Sequence, residues 1–484
     1  MPDFVLVFGI IAVILTVIGL TSGLVERSPI SFPLMFLGLG FALGEGGFGV
    51  IRLGPESLIL EIVATLTLTL VLFLDAAKLQ IDELGKRWLV PALVLGPGTV
   101  IIIALGAVSL ALLLGFAWVA AFIGGAVLAS TDPVVLRDIV RDERIPRSVR
   151  QVLKIEAGVN DIVVLPVVLV LIAVALGEVG DAVAWAGFVV QLLLVGPAVG
   201  FAIGGSGSWL MGKIDARLGI RRDHQALYGV GLVLAAYAAA TAAGGDGFLG
   251  AFAAGLAVAV LNQSLCDCFL EYGEVTSEIA MLLAFVLFGA VLSDNIGSVA
   301  LGPALVLAAL VIFVIRPSVL GLVLARARMS WEAHAFISWF GPRGLNSLLL
   351  VLLVVQAGVP GSQVLLAAVG VVVLASITIH GATATPVTAW YGQKLRKEVL
   401  VEERESTADQ LFQHREGQVA RITPNELHDL LSGPNPPVVL DVRARSRYER
   451  EGMQIPESIR VLPDQITEWA GSQPSDRLVV AYCT

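Results

Sequence analysis

The sequence predicts an all-α membrane protein that crosses the bilayer many times, with a small α/β domain at its C-terminal end. Of its 484 residues, 56% are hydrophobic and 15% are charged, whereas soluble domains are about 45–50% apolar and about 25% charged. The mean hydropathy of +0.86 is too high for a folded core covered by a water-facing surface. Three cysteines exclude a disulfide-rich scaffold. A net charge of −9 excludes a nucleic-acid binder held by bulk positive charge.

Thirteen apolar stretches are predicted to cross the bilayer as helices. They lie at 4–25, 30–51, 57–77, 88–114, 116–136, 151–176, 181–210, 224–243, 246–262, 275–293, 300–325, 331–356 and 361–390. The loops after odd-numbered stretches hold nineteen Lys and Arg residues, whereas the loops after even-numbered stretches hold Arg52 alone. Because positive charge marks the cytoplasmic side, we expect a plasma or inner membrane protein with its N-terminus outside and its C-terminal domain in the cytoplasm. The opening Met1-Pro2-Asp3 has no positive leader, so we expect no cleaved signal peptide.

The helix predicted at 116–136 contains an interruption. Its last part reads Ala129-Ser130-Thr131-Asp132-Pro133. Pro133 has no N–H to offer the carbonyl of Ala129, and its ring disfavours helical geometry at Asp132. Free backbone oxygens would then lie beside a carboxylate inside the membrane, where only a protein-lined or wet cavity tolerates them.

A second interruption is predicted in 331–356, at Gly341-Pro342-Arg343-Gly344. Two interrupted helices at corresponding positions of two halves are the best sequence indication of a mid-membrane ion site in a transporter. The two stretches are seven apart in the chain, which suits an inverted repeat of odd period.

Other ionisable side chains also fall inside predicted membrane helices. A charge near the bilayer centre costs at least about 2.5–3.5 kcal/mol on insertion scales, so each is a functional candidate. They are Asp75, Glu156, Asp161 and Arg316. In the helix at 151–176, Glu156 and Asn160 lie four residues apart on one face, and Asp161 lies on the neighbouring face.

The order Thr131-Asp132-Pro133, then Glu156 with Asn160-Asp161, then Gly341-Pro342-Arg343-Gly344 resembles the cation:proton antiporter superfamily, in its Na⁺/H⁺ exchanger branch. The resemblance covers about residues 4–390. It implies inverted repeats and two broken helices that cross at their interruptions. It further implies a mobile core domain that moves against a dimerisation domain, and hence a homodimer.

The resemblance also implies the residues of the ion site. Asp161 would be the carboxylate that binds either a cation or a proton, with Asn160 before it. Thr131 and Asp132 would complete the site for the monovalent metal ion. Relatives with Asn-Asp rather than Asp-Asp at this point are generally thought to exchange one cation per proton without net charge movement.

Two further assignments follow from the resemblance. Glu156 would form a structural ion pair with a buried arginine, for which Arg343 is the first choice and Arg316 the second. Many relatives have serine after the residue matching Glu156, whereas this chain has Ala157, so a hydroxyl ligand is lost and water or Asp75 would take its place. Asp75 falls where relatives often have a glutamate near the ion funnel.

We therefore expect an antiporter that exchanges Na⁺, or K⁺ or Li⁺, for H⁺, and that needs no cofactor. A hard monovalent cation prefers oxygen ligands. Burial raises the pKa of a carboxyl group while a nearby cation lowers it, so one aspartate holds a proton or a metal ion in competition. Three alternatives stay open: a K⁺/H⁺ antiporter regulated by its tail, a channel of the same fold, and a membrane-anchored sulfurtransferase or sulfur sensor.

The chain changes to a charged, soluble composition near residue 391. We expect a membrane domain at 1–390, a helical acidic linker at 391–414 and a compact domain at 415–484. Thr423-Pro424 reads as the N-cap and first residue of a helix. The runs 438–442 and 478–482 read as buried strands.

This last region resembles a rhodanese-like domain, through features such as Leu440-Asp441-Val442-Arg443 and the strand that leads into Cys483. In rhodaneses the cysteine begins a loop of backbone amides that cradles a thiolate or persulfide. This sequence ends one residue later, at Thr484. We therefore expect an incomplete domain without sulfurtransferase activity, in which Cys483 would be catalytic or redox-sensing only if the loop were complete.

Overall fold

The computed structural model describes most of the chain. It covers positions 9, 12, 13, 16, 17 and 20 and residues 31–79, 89–133, 136, 139–140, 142, 144–177, 179–327, 329–398, 400, 422–462, 465–471, 473 and 478–482. The membrane-spanning stretch predicted at 4–25 lies almost wholly outside these residues.

Up to residue 398, the described chain is helical apart from turns and short connections. The helices are α1 (Phe32–Leu43), α2 (Leu58–Ala77), α3 (Leu89–Leu114), α4 (Trp118–Ala129), α5 (Arg147–Leu176), α6 (Ala182–Leu218), α7 (Arg222–Ala242), α8 (Gly247–Leu261), α9 (Gln263–Asn295), α10 (Leu301–Val323), α11 (Trp331–Trp339), α12 (Leu345–Gln356) and α13 (Ser362–Lys397). The prediction of a mostly helical membrane protein is confirmed.

Eight of the described helices are long and apolar enough to cross a membrane: α2, α3, α5, α6, α7, α9, α10 and α13. Four shorter apolar helices, α1, α4, α8 and α12, accompany them. Each of the twelve stretches predicted between residues 30 and 390 overlaps one of these twelve helices. The stretch at 331–356 also overlaps α11. The count of thirteen membrane-spanning helices stays a prediction.

Small residues allow α6 and α8 to pack with their backbones in contact. Gly196, Gly200 and Gly204 repeat every four residues along α6 and face α8 and the residue before it. A methyl group at Gly200 would overlap the carbonyl group of Gly250 in α8. Helices inside a bilayer gain no hydrophobic advantage over lipid, so close backbone approach supplies much of their association.

Two π-helical segments lie in the helices that precede the interruptions. Val94–Gly98 lies within α3, which precedes α4, and Leu310–Ile315 lies within α10, which precedes α11. The residue directly after each segment contacts α5: Thr99 reaches Asn160, and Arg316 reaches Glu156. A third π-helical segment, Gln191–Val195, lies within α6, and the inverted repeat stays a prediction. Single π turns are frequent at functional sites.

The described part of the C-terminal region is an α/β unit. Its helices are α14 (Pro424–Leu431), α15 (Arg445–Glu451) and α16 (Ile466–Gly471), and its strands are β1 (Val438–Asp441), β2 (Ile459–Arg460) and β3 (Val479–Tyr482). The strands are parallel in the order β2-β1-β3. Thr423 and Glu426 form a reciprocal cap at the start of α14, so the predicted helix start is confirmed. The strands predicted at 438–442 and 478–482 are present as β1 and β3. Only β1 is buried as predicted, since Leu478 and Val479 are 57% and 38% exposed.

The rhodanese resemblance and the domain boundaries stay predictions. The linker predicted at 391–414 begins inside α13, which continues to Lys397, and residues 401–421 lie outside the described residues. Cys483 lies outside the described residues as well. Within the sheet, Asp441 of β1 is fully buried and pairs with Arg443, whose Nη2 lies 2.6 Å from its Oδ2.

The contact between α6 and α8 predicts the effect of one added methyl group. Gly200→Ala should lower the unfolding temperature of the detergent-purified protein, because the displaced backbone costs about 1–3 kcal/mol. Gly231→Ala in α7 is the matched control, since a methyl group there meets no atom within 4 Å. We expect the control to be neutral or slightly stabilising, as alanine is the better helix former. Equal unfolding temperatures for the two variants would contradict the close packing.

Candidate functional site

The interruptions of the two broken helices hydrogen bond to each other. Helix α4 ends at Ala129, and the next three residues are not helical; α11 and α12 are likewise separated by the non-helical residues 340–344. The N–H of Asp132 donates to the carbonyl oxygen of Pro342 over 2.9 Å. The N–H of Leu345 donates to the Asp132 carboxylate over 2.6 Å. Each interruption therefore satisfies backbone groups that the other has freed.

Charged side chains compensate the partial charges at the ends of the broken helices. The Arg343 guanidinium donates from Nη1 to the carbonyl oxygens of Ala129 and Ser130, over 3.1 and 2.9 Å, at the C-terminal end of α4. The Asp132 carboxylate lies at the N-terminal end of α12. A helix carries partial negative charge at its C-terminus and partial positive charge at its N-terminus, so both side chains are stabilising there. A methyl group at position 344 would overlap the Asp132 carboxylate, so any larger residue there would have to displace that side chain.

Glu156 pairs with Arg316, so the first choice of Arg343 is wrong. The Arg316 nitrogens Nη1 and Nη2 lie 2.5 and 3.0 Å from the two carboxylate oxygens of Glu156. Nη2 also donates to the carbonyl oxygen of Phe340 over 2.8 Å. Arg343 instead donates to the freed carbonyl groups at the end of α4. The sequence does not indicate which of the two buried arginines has this role. Both partners of the pair are at least 95% buried.

Asp161 lies at the meeting point of α5 and both interruptions. Its side chain is 2% exposed. The Ser130 hydroxyl donates to Oδ1 over 2.6 Å, and the Asn346 amide of α12 donates to Oδ2. The interruption after α4 thus supplies a hydroxyl to Asp161, and the expectation that water or Asp75 replaces the hydroxyl that Ala157 lacks stays a prediction.

Neither Ser130 nor Asn346 was among the predicted site residues. Ser130 stands next to Thr131 in the first interruption, so its neighbourhood was a signal. Asn346 lies near the start of a strongly apolar helix, two residues after Gly344. A polar amide in such a helix indicates a polar contact. Its partner could not be named from the sequence.

Asn160 links α5 to the interruption after α4 through hydrogen bonds. The Asn160 amide donates to the carbonyl oxygen of Ala129 over 2.8 Å and to the Thr131 hydroxyl oxygen over 3.3 Å. The Thr99 hydroxyl of α3 lies 3.4 Å from the side-chain oxygen Oδ1 of Asn160. Thr131 therefore lies beside the site, and Asp132 is engaged with the start of α12. Their predicted roles as cation ligands stay predictions.

Asp75 lies against the same part of α5. It belongs to the last turn of α2, is 6% exposed, and packs near Gly158, where a methyl group would lie 3.8 Å from the Asp75 Cβ. Gly158 is one helical turn before Asp161. Within the described residues, the Oδ2 atom of Asp75 has no hydrogen-bond partner. One turn along, Lys78 pairs with Glu274 over 3.2 Å at a half-buried position.

The site therefore offers carboxylate and hydroxyl oxygens, which are the ligands that hard monovalent cations prefer. A profile of the family described as "Sodium/hydrogen exchanger, transmembrane" matches residues 11–390. The chain belongs to this exchanger family. It is a multi-pass membrane transporter that exchanges a monovalent cation for protons, and the predicted membership of the cation:proton antiporter superfamily is confirmed.

Curated relatives and solved structures agree with this membership. The chain is 28% identical over 401 residues to the K⁺/H⁺ antiporter NhaP of Alkalimonas amylolytica. This match covers 81% of this chain and 68% of the relative. It is 28% identical over 380 residues to the K⁺/H⁺ antiporter NhaP2 of Shewanella sp. (strain MR-4), covering 77% of this chain and 65% of the relative. The chain thus spans about two thirds of the length of these relatives.

The fold is similar to that of the sodium proton antiporter MjNhaP1 from Methanocaldococcus jannaschii, solved at pH 8. The TM-score is 0.66 at 18% sequence identity, and the match covers 81% of this chain and all of the other. At this identity the likeness concerns the fold alone.

The ion pair of α5 and α10 predicts a strong energetic coupling. Arg316→Leu or Glu156→Leu alone should cost about 3–5 kcal/mol of stability, because each leaves a buried charge without its partner. The double variant should lose much less than the sum. The measurement is the unfolding free energy or temperature of the purified protein in a double-mutant cycle. A parallel cycle of Glu156→Leu with Arg343→Leu should show much weaker coupling, and coupling as strong as that of the first cycle would contradict the pairing.

Proposed function

We propose that this exchanger moves Na⁺ against H⁺, one for one, through competition of the two ions for Asp161. The observation that carries the proposal is that no fixed counter-cation contacts this carboxylate in the part of the chain that the structure describes. Among the described residues, its two oxygens accept only from the neutral side chains Ser130 and Asn346. The nearby buried arginines are engaged elsewhere, Arg316 with Glu156 and Arg343 with backbone carbonyls.

A buried carboxylate without a counter-ion carries a large desolvation cost, which either a proton or a bound cation removes. The two ions neutralise the same group, so they exclude one another. If the helices that hold the site change position only when Asp161 is neutral, each crossing carries one ion in one direction. Competition between the cation and the proton for this one carboxylate is then sufficient to couple their movements.

The one-for-one ratio rests on Asn160. It occupies the place beside Asp161 with a neutral amide that is already hydrogen bonded to Ala129 and Thr131. The charge of Asp132 is balanced by the N-terminus of α12. Asp161 is then the carboxylate that alternates between proton and cation, Asp75 serves the approach of the cation, and the exchange moves no net charge.

Asp75, Thr131 and Asp132 are proposed as further oxygen ligands or as residues of the cation's approach. Asp75 is the best supported of the three, because its free carboxylate oxygen is buried beside the turn of α5 that precedes Asp161. A second carboxylate near the path would lower the electrostatic cost of bringing a cation to the site.

Potassium is the second candidate cation. The curated relatives NhaP and NhaP2 are named K⁺/H⁺ antiporters, whereas the family description and MjNhaP1 refer to sodium. We propose Na⁺ first. We further propose a homodimer in the plasma or inner membrane, with its N-terminus outside and its tail in the cytoplasm; the distribution of Lys and Arg supports this orientation.

Exchange in liposomes tests the function and the site. The purified protein is reconstituted, a pH-sensitive dye is enclosed, and Na⁺, K⁺ and Li⁺ are added in turn. We expect proton movement triggered by Na⁺, and its loss in Asp161→Asn, which cannot bind a cation and a proton alternately. Asp223→Asn, an exposed carboxylate paired with Arg221, is the matched control and should exchange like the native chain. Unchanged exchange in Asp161→Asn would refute the site, and a response to K⁺ alone would replace Na⁺ by K⁺.

Electrical recording on the same liposomes tests the stoichiometry. An exchange of one cation for one proton carries no net charge, so a cation jump on a supported membrane should give no steady charge movement while the dye reports proton flux. A transport current that grows with the dye signal would contradict the one-for-one ratio.

A further inference from the structure

The second carboxylate oxygen of Asp161 is held by an amide that belongs to the other broken helix. We propose that Asn346 sets the cation affinity of the exchanger, because its amide N–H donates to one of the two Asp161 oxygens that an incoming cation or proton can neutralise. This inference rests on the proposed function of Asp161. It concerns a residue that lies outside the recognised sequence motifs of the chain.

The two donors to Asp161 differ in what they can do once an ion is bound. The Ser130 hydroxyl has one hydrogen and two lone pairs, so it can rotate and accept from a protonated carboxyl or face a cation with its oxygen. The Asn346 NH₂ group has hydrogens only. Facing Oδ2, it opposes a cation and cannot accept a proton. Loading of Oδ2 therefore competes with this hydrogen bond and favours an amide that has turned away.

The surroundings of Asn346 keep its backbone in place. The preceding residue, Leu345, donates its N–H to Asp132 over 2.6 Å. The following residue, Ser347, donates its hydroxyl to the carbonyl oxygen of Val127 in α4 over 3.0 Å. Asn346 itself is 2% exposed. The first turn of α12 is thus fixed on both sides, and only the amide side chain is left to move.

The consequence is a stabilised unloaded state. A hydrogen bond donated to a buried carboxylate favours its charged form over a form neutralised by either ion. Removing the bond should strengthen the binding of cation and proton by a similar factor, about tenfold for one charge-assisted hydrogen bond. The gain in apparent cation affinity should appear at alkaline pH, where few protons compete, and should vanish at acidic pH.

Other charged groups around Asp161 do not change with this substitution. They are Asp75 on α2, Asp132 after α4, Arg343 before α12, and the pair of Glu156 on α5 with Arg316 on α10. Their electrostatic effect on the site is common to the native chain and its variants, so a difference between them reports on the amide.

The test compares Asn346→Leu, Asn346→Ser and the native chain, with Ser347→Ala as the matched control on the neighbouring structural hydrogen bond. Cation binding to the full-length protein in detergent is measured by calorimetry with NaCl, KCl and LiCl at alkaline and acidic pH. The apparent KM and the maximal rate of exchange are measured in liposomes. Asn346→Ser keeps a group that can both donate and accept, so it also serves if Asn346→Leu does not fold.

We expect Asn346→Leu to lower the Kd and KM about tenfold at alkaline pH and to leave them unchanged at acidic pH. Asn346→Ser should lie between this variant and the native chain, and Ser347→Ala should match the native Kd. An unchanged Kd in both Asn346 variants at alkaline pH would overturn the inference. A raised Kd would overturn it as well, since Asn346 would then be an oxygen ligand of the cation. A native chain that neither binds cations nor moves protons would instead refute the proposed function.

Discussion

The hydrogen bonds that join the two helix interruptions are the constraint on which the rest of the site depends. Breaking a helix within a bilayer frees backbone N–H and C=O groups, and lipid offers nothing to satisfy them. In this protein each interruption supplies hydrogen-bond partners to the other. The Asp132 carboxylate accepts from the first N–H of α12, and the Pro342 carbonyl accepts from the Asp132 N–H. The Arg343 guanidinium donates to a carbonyl at the end of α4. Two broken helices are therefore tolerated as a pair, where either alone would be costly.

Charge balance then decides which group is available for chemistry. Arg343 and Asp132 compensate helix ends, and Glu156 and Arg316 compensate each other. Asp161 is left among neutral donors. The buried charges of the described membrane domain thus have different tasks. Glu156, Arg316, Arg343 and Asp132 have fixed partners that hold the fold, whereas Asp161, with Asp75 nearby, is suited to exchanging mobile ions.

Much of this organisation was predictable from the sequence, for reasons that are local. Pro133 and the Gly341–Gly344 segment interrupt helices through their own backbone chemistry, so the positions of both breaks followed from composition along the chain. The same holds for the reciprocal cap of Thr423 and Glu426 and for the apolar strand β1. Asp161 could be nominated because an aspartate in an apolar helix needs a reason to be there.

The sequence by itself determined a multi-pass helical membrane protein, two interrupted helices and a short set of buried charges. The partners followed only from the packing of the helices: Glu156 with Arg316 and not Arg343, the Ser130 hydroxyl on one oxygen of Asp161, and the Asn346 amide on the other. Helix periodicity and backbone chemistry act over a few residues, and they can be read along the chain. Partners separated by 160 or 185 positions meet only when helices pack, and two buried arginines look alike until they do.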